Sequence, residues 1–496
     1  MRARWVTMGT PFAPVPFVPI PLARSRRASP ALPVLAHRPL IRSAAPRPAA
    51  SGAPMPDPAG APAFDPPPFR PHRLLRGGHA QTLAAVYWTG TAPFLAPLPG
   101  ARFRRHRVDL GDGDALALHD LTPPDWSLGD PVALLVHGLG GSADSPYMVR
   151  IAAKLAALGV RAVRMDHRTC GAGADFSRQP YHAGLSGDVR AAAWFLCGPG
   201  GLCPGSPLGL AGFSMGGNMV LKTLGEHAEA QRAGSGAAGD PTGNASDDPT
   251  GSGSDDRPAD APGDGPAGAV PGAPPDAQHP WALPDVPLRG VVVNPAADLA
   301  ACCDSLTGPV QRFYDRYFAK HLTRHVANTP TICSRRVRDL LNARPRNMRD
   351  FDAAVTVPGW RYESVDHYYA RESAAPLVRR IDAPTLILSA EDDPLVPAEV
   401  VRGLTPGAGV TIHVCEGGGH LGYIASEPRG DHPDADRRWM DWRVVDWLTA
   451  PAPAAPRPPA LVTPSLQHAA PGPKSPAAPR SDRGSADAAR FASTPR

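Results

Sequence analysis

Three residues of this 496-residue chain have the types and surroundings that covalent chemistry needs: Ser214, Asp393 and His420. Ser214 is the centre of Gly212-Phe213-Ser214-Met215-Gly216, which follows the apolar run Leu208-Gly209-Leu210-Ala211 and opens the helical-looking Asn218-Met219-Val220-Leu221-Lys222. A strand, G-x-S-x-G and a helix form a sharp turn that glycine tolerates and a Cβ would crowd, lifting the hydroxyl clear of the backbone. Downstream, Thr385-Leu386-Ile387-Leu388-Ser389 runs into Glu391-Asp392-Asp393-Pro394, an acid at the end of a late strand. Asp393 is the expected acid of a catalytic triad, with Asp392 as the alternative. The last piece is His420, in Glu416-Gly417-Gly418-Gly419-His420-Leu421-Gly422 after the alternating Val410–Cys415 segment. Order along the chain, serine then acid then histidine, matches nucleophile, orienting carboxylate and general base. His413 lies inside the strand pattern and reads as structural.

A serine nucleophile also needs donors for the oxyanion that forms on attack. The apolar run Val132-Ala133-Leu134-Leu135-Val136 ends in His137-Gly138-Leu139-Gly140-Gly141. A glycine loop after such a strand supplies one backbone N–H, and the residue after the nucleophile supplies the other. The expected oxyanion hole is therefore the N–H groups of Leu139 and Met215, worth about 3–4 kcal/mol each to a developing oxyanion. His137 reads as a structural brace for the turn.

The elements that must hold these residues read as α/β. Strands are expected at Arg102–Leu110, Ala115–Asp120, Val132–Val136, Val160–Met165, Leu208–Phe213, Leu288–Asn294, Thr385–Ser389 and Val410–Cys415, the first two pairing antiparallel. Helical stretches at Tyr147–Leu158, Leu185–Leu196, Met215–His227 and Asp434–Leu448 alternate with them, which implies a mostly parallel sheet covered on both faces. Trp439, Trp442 and Trp447 fit the apolar face of the last helix. Between two core strands, about 304–369, lies a helical insertion with segments Val310–Thr323 and Cys333–Asn342. Its aromatic residues Phe313, Tyr314, Tyr317, Phe318, Trp360, Tyr362, Tyr368 and Tyr369 are expected to include the lining of an acyl pocket under a cap.

Taken together these motifs resemble one family, the YheT-like branch of the α/β-hydrolases (AB hydrolase family 4). The resemblance rests on His137-Gly138-Leu139-Gly140-Gly141-Ser142 with Ser145-Pro146-Tyr147, on Gly212 to Asn218, on Asp392-Asp393-Pro394, on Gly418-Gly419-His420-Leu421-Gly422 and on His79-Ala80-Gln81-Thr82. Tyr181-His182-Ala183-Gly184 is similar too. The likeness spans 69 to 448 apart from one insert. One departure is Met165-Asp166-His167-Arg168-Thr169-Cys170-Gly171, with Thr169 where the family tends to have glycine. The resemblance implies an α/β-hydrolase fold and activity on carboxylic esters; some relatives cleave phospholipids or transfer medium acyl chains to alcohols.

Composition sets the bounds. Residues 1–68 are rich in Pro, Ala and Arg with no acid before Asp57, and 232–280 are rich in Gly, Asp and Pro. Together with the Pro/Ala-rich 451–496, they cannot bury enough apolar surface to order, and are expected to be disordered. What remains is roughly 330 residues, one α/β domain. A start at Met55 is the favoured reading of the N-terminal segment, a transit peptide the alternative. No apolar run reaches the about 18 residues of a membrane span. Seven cysteines without framework spacing read as reduced thiols, and no zinc site is evident. The formal charge of +5 comes partly from the arginine-rich ends and does not argue for nucleic acid. The chain is thus expected to be a cytosolic, monomeric serine esterase for short or medium acyl esters, without metal or cofactor. A non-catalytic scaffold on the same fold is the alternative from another class.

Overall fold

A computed structural model describes residues 64–91, 94, 98–237, 282–428 and 436–451. The expectations for the N-terminal segment before residue 64, for the insert 238–281 and for the tail beyond 451 lie outside the described residues. Eight strands form one sheet: β1 (Arg102–Asp109), β2 (Ala115–Thr122), β3 (Val132–Val136), β4 (Arg161–Asp166), β5 (Leu208–Phe213), β6 (Leu288–Val293), β7 (Thr385–Ala390) and β8 (Val410–Cys415). Their order is β1-β2-β4-β3-β5-β6-β7-β8. The first two are antiparallel, as expected from their closeness in sequence, β2 pairs antiparallel with β4, and every later pair is parallel. Expected and observed strand ends agree to within two residues.

Period-two burial makes the sheet the middle layer. In β3, Val132, Leu134 and Val136 point into one apolar cluster, while Ala133 and Leu135 point into the other. Helices α1 (Gly78–Tyr87), α2 (Pro146–Ala157), α3 (Ser186–Cys197) and α4 (Met215–Ala237) precede β6. Helix α4 runs ten residues past the expected His227, because Ala228-Glu229-Ala230-Gln231-Arg232-Ala233 are good helix formers. Arg232, placed by sequence reading at the start of the disordered insert, is helical and pairs with Asp382 at 2.5 Å.

Between β6 and β7 come α5 (Leu299–Ser305), α6 (Arg312–Asn328), α7 (Ser334–Ala343), α8 (Met348–Phe351), a π-helical turn (Asp352–Thr356), α9 (Val357–Trp360), α10 (Val365–Glu372) and α11 (Ala375–Val378). Helices α12 (Ala398–Arg402) and α13 (Trp439–Thr449) complete the chain. Trp439, Trp442 and Trp447 are buried against the sheet. Packing begins five residues before the expected boundary: Phe64 meets His413 and Trp447 edge-on at 5.6 and 5.7 Å.

Helices α2 and α13 on one face are locked by a buried ionic cluster. Arg150 grips Asp441 through Nε (2.7 Å) and Nη2 (3.0 Å), and Lys154 Nζ adds a contact at 3.0 Å. Burial alone would push the Asp441 carboxyl up; the two cations overcome it and hold it near 2. Among the described residues, no helix is long and apolar enough to cross a membrane.

Candidate active site

The strand order reverses between β3 and β5, the point where open α/β sheets leave a crevice at the carboxyl ends of their strands. Ser214 stands there, immediately after β5, at φ +54°. Few side chains accept that conformation, and here backbone bonds impose it. Ser214 N donates to Val293 O (2.9 Å), while its carbonyl accepts from Gly217 N (2.9 Å) and Asn218 N (3.2 Å). The turn demands glycine on both sides. A Cβ on Gly216 would strike the carbonyl oxygens of Val136 and His137, and one on Gly212 would meet Gly216 O. Asn218 fixes the start of α4 by bonding Ala183 O (3.0 Å), Glu372 O (2.8 Å) and Ala374 N (2.8 Å).

Asp393 and His420 follow β7 and β8 on the same edge of the sheet. His420 Nδ1 lies 2.8 Å from Asp393 Oδ2. A proton on Nδ1 leaves Nε2 with a free lone pair. The other carboxylate oxygen, Oδ1, accepts from Leu395 N (2.8 Å) and Val396 N (3.1 Å). Asp392 turns elsewhere and accepts from Gly419 N at 2.8 Å.

Sequence reading missed a further partner. Asn294, just past β6 at φ +47°, donates from Nδ2 to Asp393 Oδ2 at 2.6 Å. Its own Oδ1 accepts from the buried Tyr423 hydroxyl at 3.1 Å. The only sequence signal was the Asn294-Pro295 turn pair after an apolar strand. The upstream His79-Ala80-Gln81-Thr82 element, known until here by resemblance, gains a physical role on α1. Thr82 Oγ1 accepts from His420 N (2.8 Å), and Gln81 clamps both polar groups of Ile424, from Nε2 to O (3.1 Å) and from N to Oε1 (2.8 Å). The loop carrying His420 is thus tied down from more than 300 residues away.

The loop after β3 is braced in the same manner. Gly138 N donates to Tyr147 Oη (3.0 Å), Gly140 N to Tyr181 Oη (2.8 Å) and Ser142 N to Ser145 Oγ (3.0 Å). His137 holds the turn, with Nδ1 2.8 Å from Gly138 O and Nε2 accepting from His167 N at 3.3 Å. Burial pushes both His137 and His167 down, so both rings are neutral. Gly138 lies against the serine, since a Cβ there would come within 3.1 Å of Ser214 Cβ. Among the described residues, the N–H groups of Leu139 and Met215 have no hydrogen-bond acceptor.

Arg168 anchors the segment after β4. It is fully buried, grips Asp188 through Nε (2.8 Å) and Nη2 (2.7 Å), reaches Asp112 at 2.6 Å, and lies 5.3 Å from the centre of the Trp360 ring. Thr169, the departure from glycine, sits at φ +61° and meets His325 Nε2 of α6 through its hydroxyl at 3.1 Å.

The aromatic cluster of the helical insertion divides. Tyr314 Oη lies 2.9 Å from His79 Nδ1. Tyr362, Tyr368 and Tyr369 are buried, their hydroxyls spent on Glu372 (2.8 Å), Ala183 N (3.1 Å) and Asp352 (2.8 Å). Trp360 Nε1 donates to Pro180 O at 3.0 Å. Tyr368 and Trp360 stitch the insertion to the sheet domain, Tyr362 and Tyr369 bond within the insertion, and Phe313 and Tyr317 face outward.

A mostly parallel eight-stranded sheet, a positive-φ serine between a strand and a helix, and a carboxylate–imidazole pair on the next loops define the class. The chain belongs to the α/β-hydrolase superfamily. It is 28% identical over 329 residues to "Putative esterase YheT" of Escherichia coli (strain K12), across 64% of this chain and 78% of that protein. To "Phospholipase ABHD3" of Homo sapiens it is 21% identical over 347 residues, across 67% of this chain and 69% of that one. Among solved structures, Est1E from Butyrivibrio proteoclasticus aligns with a TM-score of 0.37 at 12% identity, over 69% of this chain and 97% of that chain. No family model matches the sequence.

Proposed function

We propose that this protein hydrolyses carboxylic esters through Ser214, His420 and Asp393. The observation that carries the reading is the single sheet edge on which a strained serine turn and a bonded Asp393–His420 pair both stand. The esterase and phospholipase names of the relatives are consistent with it.

In this reading His420 Nε2 removes the hydroxyl proton as Ser214 Oγ bonds the acyl carbon. The carbonyl π pair moves onto oxygen, and the N–H groups of Leu139 and Met215 receive that charge. Asp393 keeps Nδ1 protonated and stabilises the imidazolium. Collapse expels the alkoxide, which takes the proton from His420, and leaves an acyl-serine. Water, deprotonated by the same imidazole, attacks the acyl carbon and releases the acid, restoring Ser214.

Short and medium acyl esters are the proposed substrates, with the helical insertion between β6 and β7 as the cap over the serine. A panel of p-nitrophenyl esters of graded acyl length, run with and without added alcohol, tests this. Turnover highest at short or medium chains, yielding free acid, is expected. Turnover confined to long chains, or ester product in place of acid, would overturn the substrate and acceptor assignments respectively.

A further inference from the structure

Helix α6 has two unlike faces. The inner one bridges three parts of the domain. Tyr314 reaches His79 of α1, His321 packs on Gly140 of the loop after β3, and His325 meets Thr169 after β4. Ala319, Leu322 and Val326 are buried between them.

On the outer face, Arg316, Lys320 and Arg324 follow one another at four-residue spacing and line up along the helix. With Arg344 and Arg346 from the turn after α7 they line a shallow groove of about 530 Å³ in which no carboxylate takes part. All five are exposed, and none makes an ion pair with a described residue. Other exposed arginines divide: Arg102, Arg104 and Arg105 of β1 also make no ion pair with a described residue, while others are paired. Arg107 pairs with Asp109, Arg232 with Asp382, and Arg402 with Glu391. Five cations without an ion-pair partner among the described residues converge from two elements and repel one another unless an anion joins them.

Leu341 lines the same groove, and Phe313 and Tyr317, three residues before Arg316 and Lys320, share the outer face of α6. Phe313 is 65% exposed, Tyr317 61% and Leu341 50%. A basic helix face bordered by aromatic and aliphatic side chains suits a surface with negative headgroups above hydrocarbon. The cations meet the headgroups while the apolar side chains enter the acyl boundary.

We infer that the outer face of α6, with the turn after α7, is a docking surface for anionic lipid–water interfaces. Charge complementarity selects the partner, and the exposed apolar side chains select a lipid surface over a soluble anion. Docking itself does not depend on the ester-hydrolase reading. If that reading also holds, the surface brings the insertion that faces Ser214's loops onto the phase where lipid esters reside.

Co-sedimentation of the full chain with vesicles tests this, using phosphatidylcholine alone or phosphatidylcholine with phosphatidylserine. Binding is expected only with phosphatidylserine, and is expected to weaken with added salt. Each basic residue near such a surface is worth about five-fold in partition. The triple variant R316Q/K320Q/R324Q should therefore lose on the order of 100-fold. Its melting temperature and turnover of a soluble short ester should match the parent. A second triple variant, R102Q/R104Q/R105Q on the exposed strand β1, removes equal charge elsewhere and should bind as the parent does. Residues 1–63, with their many arginines, are common to all three proteins. Equal binding to both vesicle types, no binding at low salt, or equal loss in both triple variants would overturn the inference. Binding of homopolymeric RNA without vesicle binding would assign the groove to another partner and overturn it as well.

Discussion

Replacing Asn294 with glycine isolates what its side chain contributes. Glycine accepts the φ of +47° without strain, so the backbone of the turn is preserved. Two bonds disappear: the 2.6 Å contact to Asp393 Oδ2 and the 3.1 Å contact from Tyr423 Oη. A hydrogen bond to a charged group is worth about 1.5–3 kcal/mol, and leaving a buried hydroxyl unpaired costs about 1–3 kcal/mol. Part of the first term orients the carboxylate that holds His420 at 2.8 Å. If that part is felt in the transition state, kcat falls by about 10- to 100-fold while KM stays within about three-fold. Steady-state hydrolysis of a p-nitrophenyl ester reads the first effect, and urea unfolding reads the second. Tyr423→Phe is the companion variant. It removes the outer bond and keeps Asn294 on Asp393, so it should cost about 1 kcal/mol of stability and less than three-fold in kcat. Unchanged kcat in a folded Asn294→Gly protein would refute the positioning role. An equal kcat loss in Tyr423→Phe would show that general loosening, and not the bond to Asp393, carries the effect.

Other expected outcomes are briefer. Thr82→Val removes the acceptor of the His420 N–H and should lower kcat by about ten-fold, for a bond worth about 1 kcal/mol or a little more; full activity would remove α1 from the site. Arg168→Met uncouples Asp188, Asp112 and the Trp360 face, and should cost about 3–5 kcal/mol in denaturant titration; a loss under about 1 kcal/mol would contradict the anchor. Burial, with neighbouring His321, lowers His325 to about 4, so the unfolded chain binds its proton first as pH falls. This part of the stability is complete above the ordinary histidine pKa of about 6.5 and is lost as pH falls towards 4. Buried His137, His167 and His182 act in the same direction, while burial raises Asp352 to about 6 and opposes them. The melting temperature should therefore drop between pH 6.5 and 4, less steeply in His325→Gln, and a flat profile in both proteins would contradict the assignment.

Local pattern carried much of the architecture into the sequence. Continuous apolar runs made β3 and β5 legible to the residue, alternation did the same for β8, and the glycines at 212 and 216 announced a turn that steric contacts demand. What stayed hidden depends on contacts between distant segments. Asn294 and Tyr423 are 129 residues apart, and Thr82 and His420 are 338 apart. A single polar residue after a strand has no periodicity to reveal its partner. The separate roles of the aromatic residues of the insertion were hidden for a related reason. Their richness suggested a pocket; Tyr368 and Trp360 are tied to the sheet domain, Tyr362 and Tyr369 bond within the insertion and two others face outward, because composition does not report which side of a helix meets the domain.

The central claim, an activated serine at the end of β5, is tested most directly by a fluorophosphonate probe. Incubation of the full chain followed by peptide mass spectrometry should find one phosphonylated residue, Ser214. Labelling should vanish in Ser214→Ala and fall steeply in His420→Ala, with both variants melting as the parent does. Folded protein that takes no label, or carries it on another residue, would contradict the account.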